Sequence, residues 1–219
     1  MTQAVNPVHL IFLLGIMGLL PFFLTLVTAY IKVIVVTYLV RNALGVQQVP
    51  PTMVLSGLAI ILSIFVMAPV GVKTYNILHE QNVSFEKIDH SNIVDIAVNS
   101  SQPLKDFLLS NTDPKILKSF TGSAYKIWPK DIHSAISEDS FIFIVPSFVI
   151  SELTKAFQIG FLLYLPFIAI DLIVSNILLA MGMMMVSPMT ISLPFKLMLF
   201  VTLDGWLKLS QGLLYSYTY

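Results

Sequence analysis

The stretch FIFIVPSFVISELTKAFQIGFLLYLPFIAIDLIVSNILLAMGMMMVSP, residues 141–188, decides the fold class. It is apolar for far longer than the interior of a water-soluble domain requires, and its only charges are Glu152, Lys155 and Asp171. About 20 apolar residues suffice to cross a bilayer as a helix. This run is more than twice that length and carries Pro146 and Pro166 inside it. Irregular backbone at membrane depth is tolerated only where protein or a water-filled cavity covers it, and charges there usually face an interior or a pathway. The stretch therefore reads as kinked or broken helices packed against partners.

Working outward, MTISLPFKLMLFVTLDGWLKLSQGLL follows at once and adds Pro194, Lys196 and Asp204. Upstream lies a polar insert, 73–139, which holds 16 of the 24 charged residues of the chain. Before it, a first apolar run from about Val8 to Val40 is interrupted by Pro21 and Lys32, and a second runs from about Met53 to Val72. The connector RNALGVQQVPP between them should end a helix and turn, since proline neither continues a helix nor lets its predecessor do so readily. The division is thus an apolar hairpin over 1–72, the insert over 73–139 and a second apolar hairpin over 140–219. Within the insert, NIVDIAVNS and PLKDFLLSN read as short helices, and Asp113–Pro114 reads as an N-cap followed by proline at the first helical position. Phe107, Phe120, Tyr125, Ile127 and Trp128 are its candidate core.

Composition agrees with a membrane protein. Of 219 residues 56% are hydrophobic and 11% charged, with mean hydropathy +0.84, whereas soluble domains carry about a quarter charged residues. The expectation is an all-α membrane protein of about four apolar helical segments with a small helical extracytoplasmic insert. MTQAVNPVHL lacks the basic start of a secretory signal, so the first apolar run reads as a retained segment. Lys32 and Arg41 place that end of the first run in the cytoplasm and the insert and C-terminus in the periplasm.

Formal net charge is zero, and Arg41 is the only arginine, which excludes a basic nucleic-acid surface. There is no cysteine, so disulfides, zinc thiolates and cysteine nucleophiles are excluded. No Walker A string, GxGxxG or HExxH is present, the four histidines are scattered, and no cofactor or metal is expected. Met183, Met184 and Met185 form an uninterrupted run bracketed by Gly182, Ser187 and Pro188. Methionine is adaptable enough to fill a core or to seal around an irregular chain. Three consecutive residues point in three helical directions, which suits a loop better than one packed face. Glu152 and Lys196 are opposite charges in apolar surroundings, costly if buried unpaired. Asp171 and Asp204 read as buried structural charges, with Lys155 and Lys208 as candidate partners. Tyr215, Tyr217 and Tyr219 read as interfacial anchors. Two other readings stay open on these residues: an intramembrane protease with Asp171 and Asp204 as a carboxylate dyad, and a small polytopic carrier with mid-membrane charges.

Four strings, taken in order, carry a family resemblance: RNALGVQQVPP (41–51), the run from Gly57 through MAPVG (67–71), SELTKAFQIGFLLYLPFIAIDL (151–172) and LLAMGMMMVSPMTISLPFKLMLFVTLDGW (178–206). Together they resemble the FliP/SctR family, the R-type export-gate subunit of type III secretion systems, and among its members the injectisome (YscR-like) type. The resemblance covers nearly the whole chain, though the insert matches in position and character only. It implies a non-enzymatic inner-membrane subunit that forms a ring of five. Its partners would be S-type and T-type subunits (FliQ/SctS and FliR/SctT), inner rod or needle subunits and secreted polypeptides. It also implies a helical funnel standing largely above the bilayer plane. Met183–Met185 would then be the methionine gasket of a pore, with Gly182, Ser187 and Pro188 shaping its loop. Glu152 and Lys196 would be a structural ion pair, within or across subunits.

Overall fold

The computed structural model describes residues 7–46, 48–80, 93–133, 137 and 139–219. Every regular element among them is a helix. In chain order they are α1 (Pro7–Leu26), α2 (Tyr30–Ala43), α3 (Thr52–Glu80), α4 (Ile93–Asn111), α5 (Pro114–Ile127), α6 (Lys130–His133), α7 (Phe141–Ala180), α8 (Pro188–Thr202) and α9 (Gly205–Tyr215). Two of them, α3 and α7, are long and apolar enough to cross a membrane alone. The pairs α1–α2 and α8–α9 qualify only as bent pairs, at 66° and 60°. The expectation of about four apolar segments, some broken, therefore holds, but the breaks are not at the prolines.

Pro21, Pro69, Pro146, Pro166 and Pro194 all lie inside helices. The first run breaks instead at 27–29, just before α2. The last breaks at Asp204, the one described non-glycine residue with positive φ, at 51°. A left-handed residue ends a helix outright, whereas a proline within a long packed helix forfeits one hydrogen bond that neighbouring groups can replace. At 1.5 Å per residue the 40 residues of α7 extend about 60 Å, roughly twice a hydrocarbon core. One helix thus reaches well beyond the thickness that its apolar length suggests.

The centre of the molecule is α2. Its buried face comprises Lys32, Val33, Val36, Thr37, Val40 and Ala43, the three-and-four spacing of a helical stripe. This face packs between α3 and α7. The α7 contact is close because residue 160 is glycine: a Cβ there would clash with the Leu39 side chain. One core cluster joins Val33, Val36 and Val40 to Ala59, Ala156, Phe167, Leu209 and Leu213. A second joins Ala29, Val66, Val70, Phe107, Leu108, Ile144, Phe148 and Tyr217.

That second cluster corrects the reading of the insert. Phe107 serves a core shared with α3, α7 and the C-terminal tail. Trp128 stacks on Phe143 of α7, and Tyr125 and Ile127 are exposed. Among the described residues, the insert helices pack on the apolar helices and no core cluster is confined to them. The two short helices expected over the start of this region are one, α4, which runs through Pro103. The Asp113 cap is as read: its carboxylate accepts from Lys115 N, and Pro114 opens α5.

Candidate functional site

Between α7 and α8 the chain turns in seven residues, and the three methionines lie there. Gly182 has φ +74°, its N–H donates to Leu179 O at 3.0 Å, and Met183 N–H donates to Leu178 O at 2.9 Å. This pair of bonds is the Schellman closure of a helix C-terminus, which favours glycine at the left-handed position. Pro188 then starts α8 at the position where its missing N–H costs nothing. The loop is thus bounded by a glycine closure at the end of α7 and a proline start at α8. Met183, Met184 and Met185 are 41%, 81% and 101% exposed. Within the chain they belong to no core.

Deeper in α7, Glu152 is completely buried at the centre of a charged cluster. Lys32 of α2 lies 3.3 Å from Glu152 Oε2, and Lys155 lies 3.7 Å from Oε1. The Tyr217 hydroxyl is 2.7 Å from Glu152 Oε2 and 3.1 Å from Ala29 O. With a single hydroxyl proton it donates to the nearer, charged acceptor. Burial holds the Tyr217 phenol well above its ordinary pKa and the Glu152 carboxylate raises it further, so the group remains a donor. The Tyr217 ring also faces Lys32 Nζ at 3.5 Å from the ring centroid, a cation–π contact in a desolvated setting. The tail continues the net. Asn111 of α4 donates to Thr218 O and accepts from Thr218 N, Lys155 donates to Asn111 O, and Tyr219 donates its hydroxyl to Val66 O on α3.

A second cluster ties α8 down. Lys196 Nζ lies 2.6 Å from Asp171 Oδ2 and 3.2 Å from Ala43 O, while Ser192 Oγ donates to Asp171 Oδ1 at 2.6 Å. Ala43 is the last residue of α2, where the carbonyls lack intrahelical partners and the helix dipole favours a cation. Lys196 therefore serves a carboxylate and a helix end together.

These contacts re-sort the expected pairs. Within the chain Glu152 and Lys196 do not meet: each has a nearer partner of opposite charge, Lys32 and Asp171 respectively. Lys155 pairs with Glu152 and not with Asp171. Asp171 is only partly buried, and Asp204 is exposed at the α8–α9 elbow with no side-chain partner among the described residues. Asp171 is paired with Lys196 and accepts a hydrogen bond from Ser192, and no contact joins it to Asp204, so the dyad has no geometric support. Tyr217 is a buried donor and not an interfacial anchor. Lys32, one of the two cations that set the expected topology, is wholly buried. Its signal was available in the spacing, because Lys32, Val36 and Val40 repeat every four residues along one stripe. Tyr217 had no such signal, since it follows α9 in an irregular tail.

Comparison with known proteins gives the family. The profile described as the FliP family matches residues 13–213. The chain is 49% identical over 217 residues to the Yop proteins translocation protein R of Yersinia pestis, covering 99% of each chain. It is 43% identical over 218 residues to the harpin secretion protein HrcR of Erwinia amylovora, again covering 99% of each. It is 45% identical over 207 residues to the virulence protein YscR of Salmonella typhimurium, covering 94% of this chain and 95% of that one. With the family profile spanning nearly all of the chain and relatives aligned end to end, the chain belongs to the FliP family.

Proposed function

We propose that this chain is a subunit of the export apparatus of a bacterial type III protein secretion system, placed in the inner membrane. The loop of Met183–Met185 would close its protein-conducting pore. The reading makes it a non-enzymatic member of a ring of five, assembled with S-type and T-type subunits, with the 73–139 insert on the periplasmic side. Family membership supports the export role. The observation that carries the pore assignment is the loop itself: three successive exposed methionines between the glycine closure of α7 and the proline start of α8. Flexible thioether chains from neighbouring copies would meet as an apolar constriction, excluding ions by dewetting while yielding to a passing polypeptide. They offer that polypeptide no fixed charge to trap it.

The test replaces Met183, Met184 and Met185 together with serine in the assembled complex. Because these side chains are exposed in the chain, thermal stability and co-purification with partners should be unchanged. Ion leak across the membrane should rise and secretion should change. A triple variant that assembles, leaks no more than the parent and secretes normally would remove the gate from this loop.

A further inference from the structure

Outside the 73–139 insert the chain has eight charged residues, and five of them pair with one another: Lys32 and Lys155 with Glu152, and Lys196 with Asp171. Arg41, Asp204 and Lys208 make no ion pair among the described residues. Two of these three have an unmet requirement. The Arg41 guanidinium is held in place over the Tyr38 ring, 5.1 Å from its centroid, and donates from Nη1 to Thr52 Oγ1 at 3.2 Å. Its Nε, however, is buried without an acceptor, alone in this among the side-chain atoms of the described residues. Native structures seldom leave a buried donor unpaired. Asp204 stands at the N-cap of α9 with φ 51°, yet its side chain makes no cap hydrogen bond. It occupies a left-handed conformation that is uncommon outside glycine, and its carboxylate does not serve its own helix. The two residues are also kept apart within the chain. Val40 shares a core with Leu209 and Leu213 of α9, and Arg41, the next residue, lies about 100° further round α2, against Thr52 of α3.

We propose that Arg41 of one copy of this chain binds Asp204 of the next copy, which makes the two residues a joint of the ring. The pairing rests on the ring assembly of the proposed function. Charge complementarity selects a second copy as the occupant. A guanidinium matches a carboxylate better than any other group, and Thr52 takes only one of the Arg41 N–H groups and leaves Nε–H for it. Outside the insert the chain has three acids; Glu152 and Asp171 are engaged, so Asp204 is the one left over. A head-to-tail ring brings two different patches of one chain together, so each copy gives Arg41 to one neighbour and Asp204 to the other. The two patches also match in apolar character. Met53 and Val54 are exposed beside Thr52, and Leu203 and Leu207 beside Asp204. Such residues exclude water from a charge pair at the centre of an interface, where it contributes most. Lys208, exposed and one turn along α9 from Asp204, makes no pair with it and has no buried donor to satisfy.

The experiment uses the complex assembled with S-type and T-type subunits. The chain has no cysteine, so Arg41→Cys and Asp204→Cys placed in one chain provide its only two thiols. A short bifunctional thiol reagent is used, because an arginine–aspartate pair holds its backbones further apart than a disulfide spans. It should give a ladder of linked copies reaching five, and neither single variant should give one. Separately, Arg41→Gln and Asp204→Asn should each weaken association between copies by roughly ten-fold or more, the low end for close charge pairs across interfaces. The double variant should associate no worse than the weaker single one. Asp204→Asn should leave the melting temperature of the isolated chain unchanged, since its carboxylate has no partner there. A complex that assembles but gives no ladder would overturn the pairing and leave the ring standing, as would single losses that simply multiply in the double variant. A parent complex that holds one copy only would remove the ring itself, and the pairing with it. A photoreactive residue at position 41 that labels an S-type or T-type subunit and no second copy would assign Arg41 to that subunit and overturn the pairing.

Discussion

Removing the carboxylate of Glu152 leaves Lys32 buried without its counter-charge. Breaking one side of a buried ion pair costs about 3–5 kcal/mol, whereas replacing both partners with apolar residues of similar size is often neutral. Glu152→Gln should therefore lower the melting temperature of the purified protein sharply, and Lys32→Met combined with Glu152→Leu should recover most of the loss. Purely additive effects in thermal melts would show that the two side chains are not coupled. Tyr217→Phe keeps the ring over Lys32 and removes one bond to a charged acceptor, for an expected loss of about 2 kcal/mol. Tyr217→Leu also removes the cation–π contact and the stacking on Phe107, and should cost more in the same melts. At this scale the sequence announces that charges are buried, because Glu152 and Lys196 sit in apolar runs. It does not announce their partners. Lys32 and Glu152 are 120 residues apart, and only the packing of α2 on α7 brings them together.

The elements were legible where a local rule decides them and obscure where tertiary contact decides. Asp113 with Pro114 marks the start of α5, and Gly182 with Pro188 marks the α7–α8 turn, because caps act through a few adjacent residues. Asp113→Ala should cost about 1 kcal/mol and speed amide exchange at Lys115 and Ile116, leaving exchange in α2 unchanged. The internal prolines misled because their local cost is overridden by packing along α3 and α7. The contact of α2 with α7 can be tested at its closest point. Gly160→Ala places a Cβ against Leu39 and should destabilise by about 1–3 kcal/mol through overpacking. Leu39→Ala in the same chain should relieve part of that loss, so denaturant midpoints of the four variants would show a favourable coupling. A Gly160→Ala chain as stable as the parent would mean that the helices separate there without cost.

For the whole molecule, an all-helical membrane architecture with a charge-rich middle segment follows from composition and hydropathy, which are sums over many residues. The way the insert helices lie over α3 and α7 does not follow, because those contacts join distant parts of the chain through single residues such as Phe107 and Asn111. The tail beyond α9 is the joint that ties these parts together, through Tyr217 to Glu152, Thr218 to Asn111 and Tyr219 to Val66. Ending the chain after Ser216 should therefore loosen α4 as well as the charged cluster. Limited proteolysis should cut the truncated protein between α4 and α5 at protease concentrations that leave the parent intact. Equal resistance would show that the tail contributes nothing to holding α4.

The tail also imposes an order of events on biogenesis. Tyr217 reaches Ala29 across 188 residues and Asn111 reaches Thr218 across 107, so the residues that close both joints are made long after the ones they join. Long-range closures of this kind come late and slowly. Until Tyr217 and Thr218 have been made, Glu152 and Lys32 lack the hydroxyl and the ring that complete their enclosure, and α4 lacks the partner of Asn111. A nascent chain is thereby kept unlocked while its earlier helices take up their places, and its interior is completed afterwards.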